Sequence, residues 1–181
     1  MSLRIHGQRS LQTLPGLKTR PTSARVRQAV FNILQGEIGD CRWLDVCCGS
    51  GSMGGEALCR GASYVVGIES SESACRVIQS NWNQLVRPQQ SFRVIRGDAR
   101  LILRQSCPGD PFDVIYLDPP YESGLYGDIL PLLPAWLAST GWVIAECRAG
   151  TALPEQVGSL CLGDVRRYGE TALVIYHPEH A

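Results

Sequence analysis

The stretch "FDVIYLDPPY", residues 112–121, puts a carboxylate, two prolines and an aromatic ring directly after an apolar run. Asp118 brings two acceptor oxygens, while Pro119 and Pro120 stiffen the turn and remove two backbone donors, which leaves carbonyls free to accept. Tyr121 adds a flat face. This set suits an exocyclic amine on a planar base. Such an amine is a poor nucleophile because its lone pair is delocalised into the ring. Accepting both N–H protons, on Asp118 and the Pro119 carbonyl, pulls the nitrogen toward a pyramidal state while Tyr121 stacks on the base.

Upstream, "WLDVCCGSGSMGGEAL", residues 43–58, carries Gly49, Gly51 and Gly54 in the spacing G-x-G-x-x-G, with Glu69 twenty residues beyond Gly49. That is the dinucleotide fingerprint. Glu69 can accept from both hydroxyls of a ribose, which fits any adenosine cofactor. Asp45 discriminates between them. Its charge beside the loop repels a pyrophosphate but favours the ammonium and sulfonium of S-adenosyl-L-methionine. Asp98 followed by Ala99 can reach an adenine amino group and leave room for the ring. The glycines let the backbone approach the methionine portion closely. The residues therefore predict a methyl-donor loop beside an amine-accepting turn.

These residues need a sheet to hold them. The runs "WLDVCC", "YVVGIE", "FRVIRGD", "FDVIYLD" and "WVIAEC" read as strands, and segments 52–60, 72–85, 99–106 and 125–137 between them as helices. Alternation of this kind predicts a parallel sheet covered on both faces, with ligands outside the carboxyl ends of its strands. "DVRRYGETALVIY" leaves no room for a crossover helix around Gly169, so it predicts a hairpin that ends the sheet with an antiparallel strand. Ahead of the alternation, "RPTSARVRQAVFNIL" sets Val26, Ala29, Val30, Ile33 and Leu34 on one helical face. Residues 1–19 read as short strands or an arm, with a turn at Leu14 to Gly16, and residues 20–181 as one domain.

The chain has 181 residues, 44% of them hydrophobic, with 17 basic against 17 acidic side chains. Such a composition describes a globular chain of ordinary core size. The amino terminus lacks the apolar core of a signal peptide and no run approaches membrane-spanning length, so a cytoplasmic location and no membrane partner are expected. Eight cysteines contain no C-x-x-C pair, and His6, His177 and His180 lie at the chain ends, so no metal site is expected and the cysteines read as small core residues. The neutral balance hides an asymmetry. Arg4, Arg9, Lys18, Arg20, Arg25 and Arg27 fall in residues 1–27 without one acid. Such a segment either contacts nucleic acid or is a solvated terminus.

Taken together, these motifs resemble the class I S-adenosylmethionine-dependent methyltransferases and, more narrowly, the bacterial RsmD family. The resemblance runs from about Arg20 to Tyr176. It rests on "RPTSARVRQAVFNIL", "LDVCCGSGSMGGEALCRGA", "DPPY" and "VIAEC" in combination; DPPY alone also occurs in DNA adenine methyltransferases. It implies an α/β, Rossmann-like fold with a seven-stranded, mostly parallel sheet, an antiparallel last strand and helices on both faces. It also implies methylation of the N2 amine of a guanine in small-subunit rRNA. By the same likeness Asp45, Gly49, Gly51, Glu69, Asp98 and Ala99 hold the cofactor, and Asp118, Pro119, Pro120 and Tyr121 form the amine site. The six basic residues of the amino-terminal segment fall to the RNA, and Arg20 and Thr22 close over the cofactor or meet RNA. Three features depart from the family pattern. Cys47-Cys48 replace a Phe-Ala pair, Gly55 stands where leucine is usual and loosens its helix, and the arm is less basic.

Three rival readings remain at this point. A DNA adenine-N6 methyltransferase generally needs a target-recognition region, for which this chain has no spare length. RNA already shaped by a ribosomal particle needs less reading machinery. Protein-glutamine methyltransferases typically carry Asn where this chain has Asp118. A catalytically silent RNA-binding protein on the same fold has no physical need for the whole DPPY set. The absence of an obvious apolar surface run favours a monomer.

Overall fold

A computed structural model describes residues 2–13, 22–120 and 124–179. The amino-terminal segment forms a small antiparallel hairpin, β1 (Ser2–Arg4) and β2 (Ser10–Gln12), joined by a short 3₁₀ turn at His6–Gln8. It is built into the molecule, since Ile5 and Leu11 are buried in the same hydrophobic cluster as the first three helices. Helix α1 (Ala24–Ile33) starts at Ser23, whose hydroxyl accepts from the Val26 N–H. The periodic positions Val26, Ala29, Val30 and Leu34 are buried and Ile33 is half-buried.

From Arg42 the chain alternates strand and helix: β3 (Arg42–Val46), α2 (Ser52–Arg60), β4 (Tyr64–Glu69), α3 (Glu72–Leu85), β5 (Ser91–Arg96), α4 (Ala99–Leu103), β6 (Phe112–Leu117), α5 (Leu125–Ile129) and β7 (Leu137–Arg148). The segment 125–137, expected as one helix, is α5 followed by a 3₁₀ stretch over Leu130–Ala135. Pro131 and Pro134 remove the N–H donors an α-helix needs there. Strands β8 (Gln156–Val157), β9 (Leu160–Tyr168) and β10 (Thr171–Pro178) complete the sheet in the order β5-β4-β3-β6-β7-β10-β9-β8. β3 to β7 are parallel and β10 is antiparallel to β7, as the hairpin at Gly169 required. Gly169, at φ 66°, opens the two-residue turn. The sheet has eight strands where seven were expected. The extra one is the two-residue β8, which Gly158 at φ 59° folds back onto the start of β9.

Two apolar layers sandwich this sheet. On one face α1, α2, α3 and the hairpin cover Trp43, Tyr116 and Ile144; on the other, α4, α5 and the 3₁₀ stretch cover Leu44, Ile115 and Val143. Alternate residues of each strand feed alternate layers, as pleating demands. Strand order reverses between β3 and β6, so their carboxyl ends border the crevice where ligands of such sheets bind.

Candidate active site

Four carboxylates meet at that crevice. Asp45 is the penultimate residue of β3, Glu69 ends β4, Asp98 follows β5 and Asp118 follows β6. Their convergence registers on one thiol. Cys47, between β3 and the glycine loop, is pushed up to about 12 by burial and then by Glu69, Asp118, Asp45 and Asp98. The sequence places Cys47 inside or just after the strand, as a small core thiol. It lies just after it, at φ 63°, a left-handed conformation rare outside glycine, and is half-buried rather than core. Cys48 is buried as expected. All eight cysteines are free thiols.

Asp45 is almost wholly buried, at 1% exposure, and its Oδ2 accepts from the Gly54 N–H at 2.9 Å. Burial drives its carboxyl up to about 7, opposed by that hydrogen bond and reinforced by the charge of Glu69. Glu69 locks the loop from the other side, with Oε2 accepting from the Gly49 N–H at 2.9 Å and Oε1 from the Ser71 N–H at 2.7 Å. Oε1 also accepts from the Ser70 hydroxyl at 3.3 Å, whereas Oε2 keeps a second lone pair for a ribose hydroxyl. Gly51 caps α2 at φ 69°, and a side chain there would meet Ile78 at 2.9 Å. Asp98 is committed locally. It caps α4 through the Arg100 N–H and pairs with the Arg100 guanidinium at 2.6 Å, which holds its carboxyl down at about 2. Ala99 is buried beneath it.

The loop rests on a residue the motifs did not single out. Trp82 of α3 is fully buried and donates from Nε1 to the Gly51 carbonyl at 2.8 Å. Its indole lies where Cβ atoms at Gly54 and Gly67 would stand, 2.4 Å and 2.7 Å away. Gly55, expected to loosen α2, instead faces Trp82, Leu85 and Leu11 at 3.2 to 3.4 Å. A large indole fills what three small residues vacate.

Asp118 is half-buried, with Oδ2 accepting from the Thr22 hydroxyl at 3.4 Å and its own N–H donating to the Val46 carbonyl at 3.2 Å. Burial, then Glu146, then Asp45 raise its carboxyl well above the usual range, and the Thr22 hydrogen bond opposes them. Thr22 thus meets Asp118 from the segment before α1. Pro119 is buried and Pro120 exposed. Tyr121 lies outside the described residues. Glu146 on β7 escaped the motif search. It is 4% exposed, and its signal was an acid inside the apolar run "WVIAEC".

The basic residues divide. Arg4, Arg9 and Arg25 are exposed, and Lys18 and Arg20 lie outside the described residues. Arg27 is corrected: its guanidinium is buried, Nε bonding Glu56 Oε2 at 3.2 Å, with further bonds to the Thr22 and Arg4 carbonyls. Glu56, 3% exposed, also accepts from the His6 N–H and from Arg60. Arg27 therefore ties the hairpin and α1 to α2 and has no reach to RNA.

A family described as "Conserved hypothetical protein 95" matches residues 3–177. The chain belongs to this family. Among its relatives, ribosomal RNA small subunit methyltransferase D of Escherichia coli is 32% identical over 91% of this chain and 81% of that protein. The Bacillus subtilis protein YlbH is 33% identical over 93% and 92%. The solved Escherichia coli structure yhhF covers 99% of each chain with a TM-score of 0.86 and 31% identity. The fold is that of the class I methyltransferases.

The residues present fit S-adenosyl-L-methionine. The donor set is anionic, matching a cation, and the loop between Asp45 and Gly54 presents close backbone and no basic side chain of the kind a pyrophosphate wants. Among the described residues no group of three or more His, Cys, Asp or Glu is placed to hold a metal ion, and no helix is long and apolar enough to cross a membrane.

Proposed function

We propose that this chain methylates the N2 amine of a guanine in small-subunit rRNA, using S-adenosyl-L-methionine. The observation that carries this reading is the placing of an acid at the carboxyl end of each of four neighbouring parallel strands, the last of them Asp118 at the head of the Asp118-Pro119-Pro120 segment. The name of the Escherichia coli relative supports the same substrate class.

When bound, S-adenosylmethionine supplies an electrophilic methyl on a sulfonium. Asp45, Gly49, Gly51, Glu69, Asp98 and Ala99 hold it. Asp45 and Glu69 do so from positions their own loop bonds have fixed in advance, so little ordering cost falls on binding. Asp118 and the Pro119 carbonyl accept the two amine protons and raise the nucleophilicity of the nitrogen. Tyr121 stacks on the guanine. The exposed Arg4, Arg9 and Arg25, with Lys18 and Arg20, meet the RNA phosphates. The rRNA is read within a ribosomal particle, by shape, by a single copy of the chain.

Transfer of a labelled methyl group tests the reading. Unmodified small subunits, naked rRNA and duplex DNA are offered in parallel, with Asp118→Ala as control, and products are digested to nucleosides. Label in N2-methylguanosine that vanishes in the variant, while cofactor binding survives, is the expected outcome. Label in N6-methyladenine would keep the mechanism and overturn the substrate. No label anywhere, with cofactor bound, would leave a silent binding protein.

A further inference from the structure

Thr22 is a buried polar residue whose hydroxyl has no work in its own segment. A Ser or Thr just ahead of a helix ordinarily caps it. Here Ser23 already does so, its hydroxyl accepting from the Val26 N–H at 3.2 Å. Thr22 is 6% exposed, and a valine would fill the same space with no polar atom to bury. Its hydroxyl is turned instead on Asp118 Oδ2, ninety-six positions along the chain. The backbone of Thr22 is held there by a buried frame. Its carbonyl accepts from Arg27 Nη1 at 3.4 Å, and the same guanidinium bonds the Arg4 carbonyl at 2.6 Å and Glu56 Oε2 at 3.2 Å. The amino-terminal hairpin, α1 and α2 together set where the Thr22 hydroxyl stands. Asp118 is fixed from its own side, its N–H donating to the Val46 carbonyl at 3.2 Å. Among the described residues no donor meets Oδ1, so that oxygen is left to a substrate.

We propose that Thr22 is a positioning residue for methyl transfer, its hydroxyl holding Asp118 by Oδ2 so that Oδ1 is presented to the amine. The inference rests on the proposed amine methylation. In that reaction the nitrogen bonds the methyl carbon as the carbon–sulfur bond breaks, and that bond's electron pair stays on sulfur. The nitrogen, now positive, gives one N–H proton to Oδ1. The last torsion of an aspartate is broad. A carboxylate tied by one oxygen therefore aims the other, whereas an untied one must give up its rotation on the way to the transition state. Thr22 does not touch the base and acts only through Asp118. At 3.4 Å its bond is long for an O–H···O contact, and bonds of this kind tighten when a site fills.

The same hydroxyl bears on which form of Asp118 waits for the amine, since only the carboxylate accepts at both oxygens. Burial, Glu146 from β7 and Asp45 from β3 favour the protonated acid, and Thr22 from the segment before α1 opposes them. Cys47, just after β3, and Tyr116, on the strand that leads to Asp118, also titrate nearby, and burial keeps both neutral. A hydrogen bond donated to a carboxylate lowers its proton affinity, so losing that bond moves the midpoint up. Replacing Thr22 leaves each of these neighbours in place, and a shift then reports the hydroxyl.

The test compares Thr22→Val, which keeps the shape and removes the donor, with Thr22→Ser, which keeps the donor. Labelled methyl transfer to unmodified small subunits is the first readout. Thr22→Val lowers kcat about ten-fold while KM for subunit and cofactor stays within about two-fold, and the acid limb of the pH–rate profile moves up by about half a pH unit or more. Thr22→Ser restores most of kcat and returns the limb. Loss of packing alone would not move the limb, and serine would not cure it. The second readout needs no turnover. It is a carboxyl-carbon NMR titration of cofactor-free protein labelled in aspartate, with Asp118 assigned through Asp118→Asn. The Asp118 midpoint rises in Thr22→Val and returns in Thr22→Ser. If Thr22→Val does not fold, Thr22→Ala carries the same comparison. An unmoved midpoint in the variant without the hydroxyl, or a Thr22→Ser with no more kcat than that variant, overturns the proposal. If the native protein methylates no guanine amine, the reaction reading falls, and the titration still decides whether Thr22 holds Asp118.

Discussion

Asp45 shows how one residue can serve a ligand at a cost to the fold. Its folded-state proton affinity, near 7, exceeds the unfolded aspartate value of about 3.9. Between those values the native state holds a proton that the unfolded chain has lost, so stability falls as pH rises through that window. The penalty reaches up to about 4 kcal/mol at neutral pH and above. Asp45→Asn should therefore flatten the pH dependence of urea unfolding between about pH 4 and 7, in cofactor-free protein. A variant that keeps the native slope would refute the argument. A bound cation reverses the account, because it favours the carboxylate. S-adenosylmethionine binding should release a proton below pH 7, seen as a calorimetric enthalpy that depends on the buffer. Asp45→Ala and Glu69→Ala should each weaken binding by ~1–3 kcal/mol, the scale of a lost charge-assisted hydrogen bond. The position of Asp45 at the strand end beside the glycine loop was legible because the apolar run and the glycine spacing fix that junction. Glu146 was not, since an acid in an apolar strand names no partner until Tyr116 is placed against it.

At the scale of elements, the glycine loop is held by helix α3 as much as by its own sequence. The fingerprint spacing predicted Gly54 as a close-packing glycine, and α2 and α3 fell where periodicity put them. What no local pattern carries is that Trp82, twenty-eight residues on, occupies the space above Gly54 and Gly67. A methyl at Gly54 would stand 2.4 Å from the indole, so Gly54→Ala should cost about 1–3 kcal/mol in urea unfolding. Trp82→Leu leaves a cavity and loses the bond to the Gly51 carbonyl, at about 3 kcal/mol or more. In the double variant the methyl enters the vacated space, and the two costs should fall short of their sum by at least about 0.5 kcal/mol. Strict additivity would show that the indole does not set the loop. The shortened 99–106 and 125–137 helices mark the same limit. Asp98 signals where α4 begins, but where it ends depends on packing, and the 3₁₀ stretch depends on two prolines whose effect on pitch the apolar pattern hides.

Across the whole molecule, the described arginines of residues 1–27 divide into one buried ion-pair partner, Arg27, and three exposed side chains, Arg4, Arg9 and Arg25. Composition alone could not divide them, since Arg25 and Arg27 are two positions apart and differ only in which side of α1 they occupy. Arg25 faces outward, whereas Arg27 turns under the hairpin to meet Glu56, which in turn accepts from the His6 N–H. The buried pair thus joins β1, α1 and α2. Cutting it on one side should cost more than replacing both sides. Arg27→Met leaves the Glu56 carboxylate to Arg60 and the His6 N–H and should cost up to about 3 kcal/mol, whereas Arg27→Met with Glu56→Leu should recover part of that loss. Exposed arginines should behave in the opposite way. Replacing Arg4, Arg9 or Arg25 by Ala should leave urea stability within about 0.5 kcal/mol and cofactor affinity unchanged. Each should weaken rRNA binding and lower the slope of log affinity against log salt by about 1, as expected for one phosphate contact. Salt titrations of all four single variants would separate the two classes. If the three exposed arginines leave the salt slope untouched, the hairpin face is not the RNA surface. The phosphate contacts must then be sought among Lys18, Arg20 and the basic edge at Arg166 and Arg167 on β9.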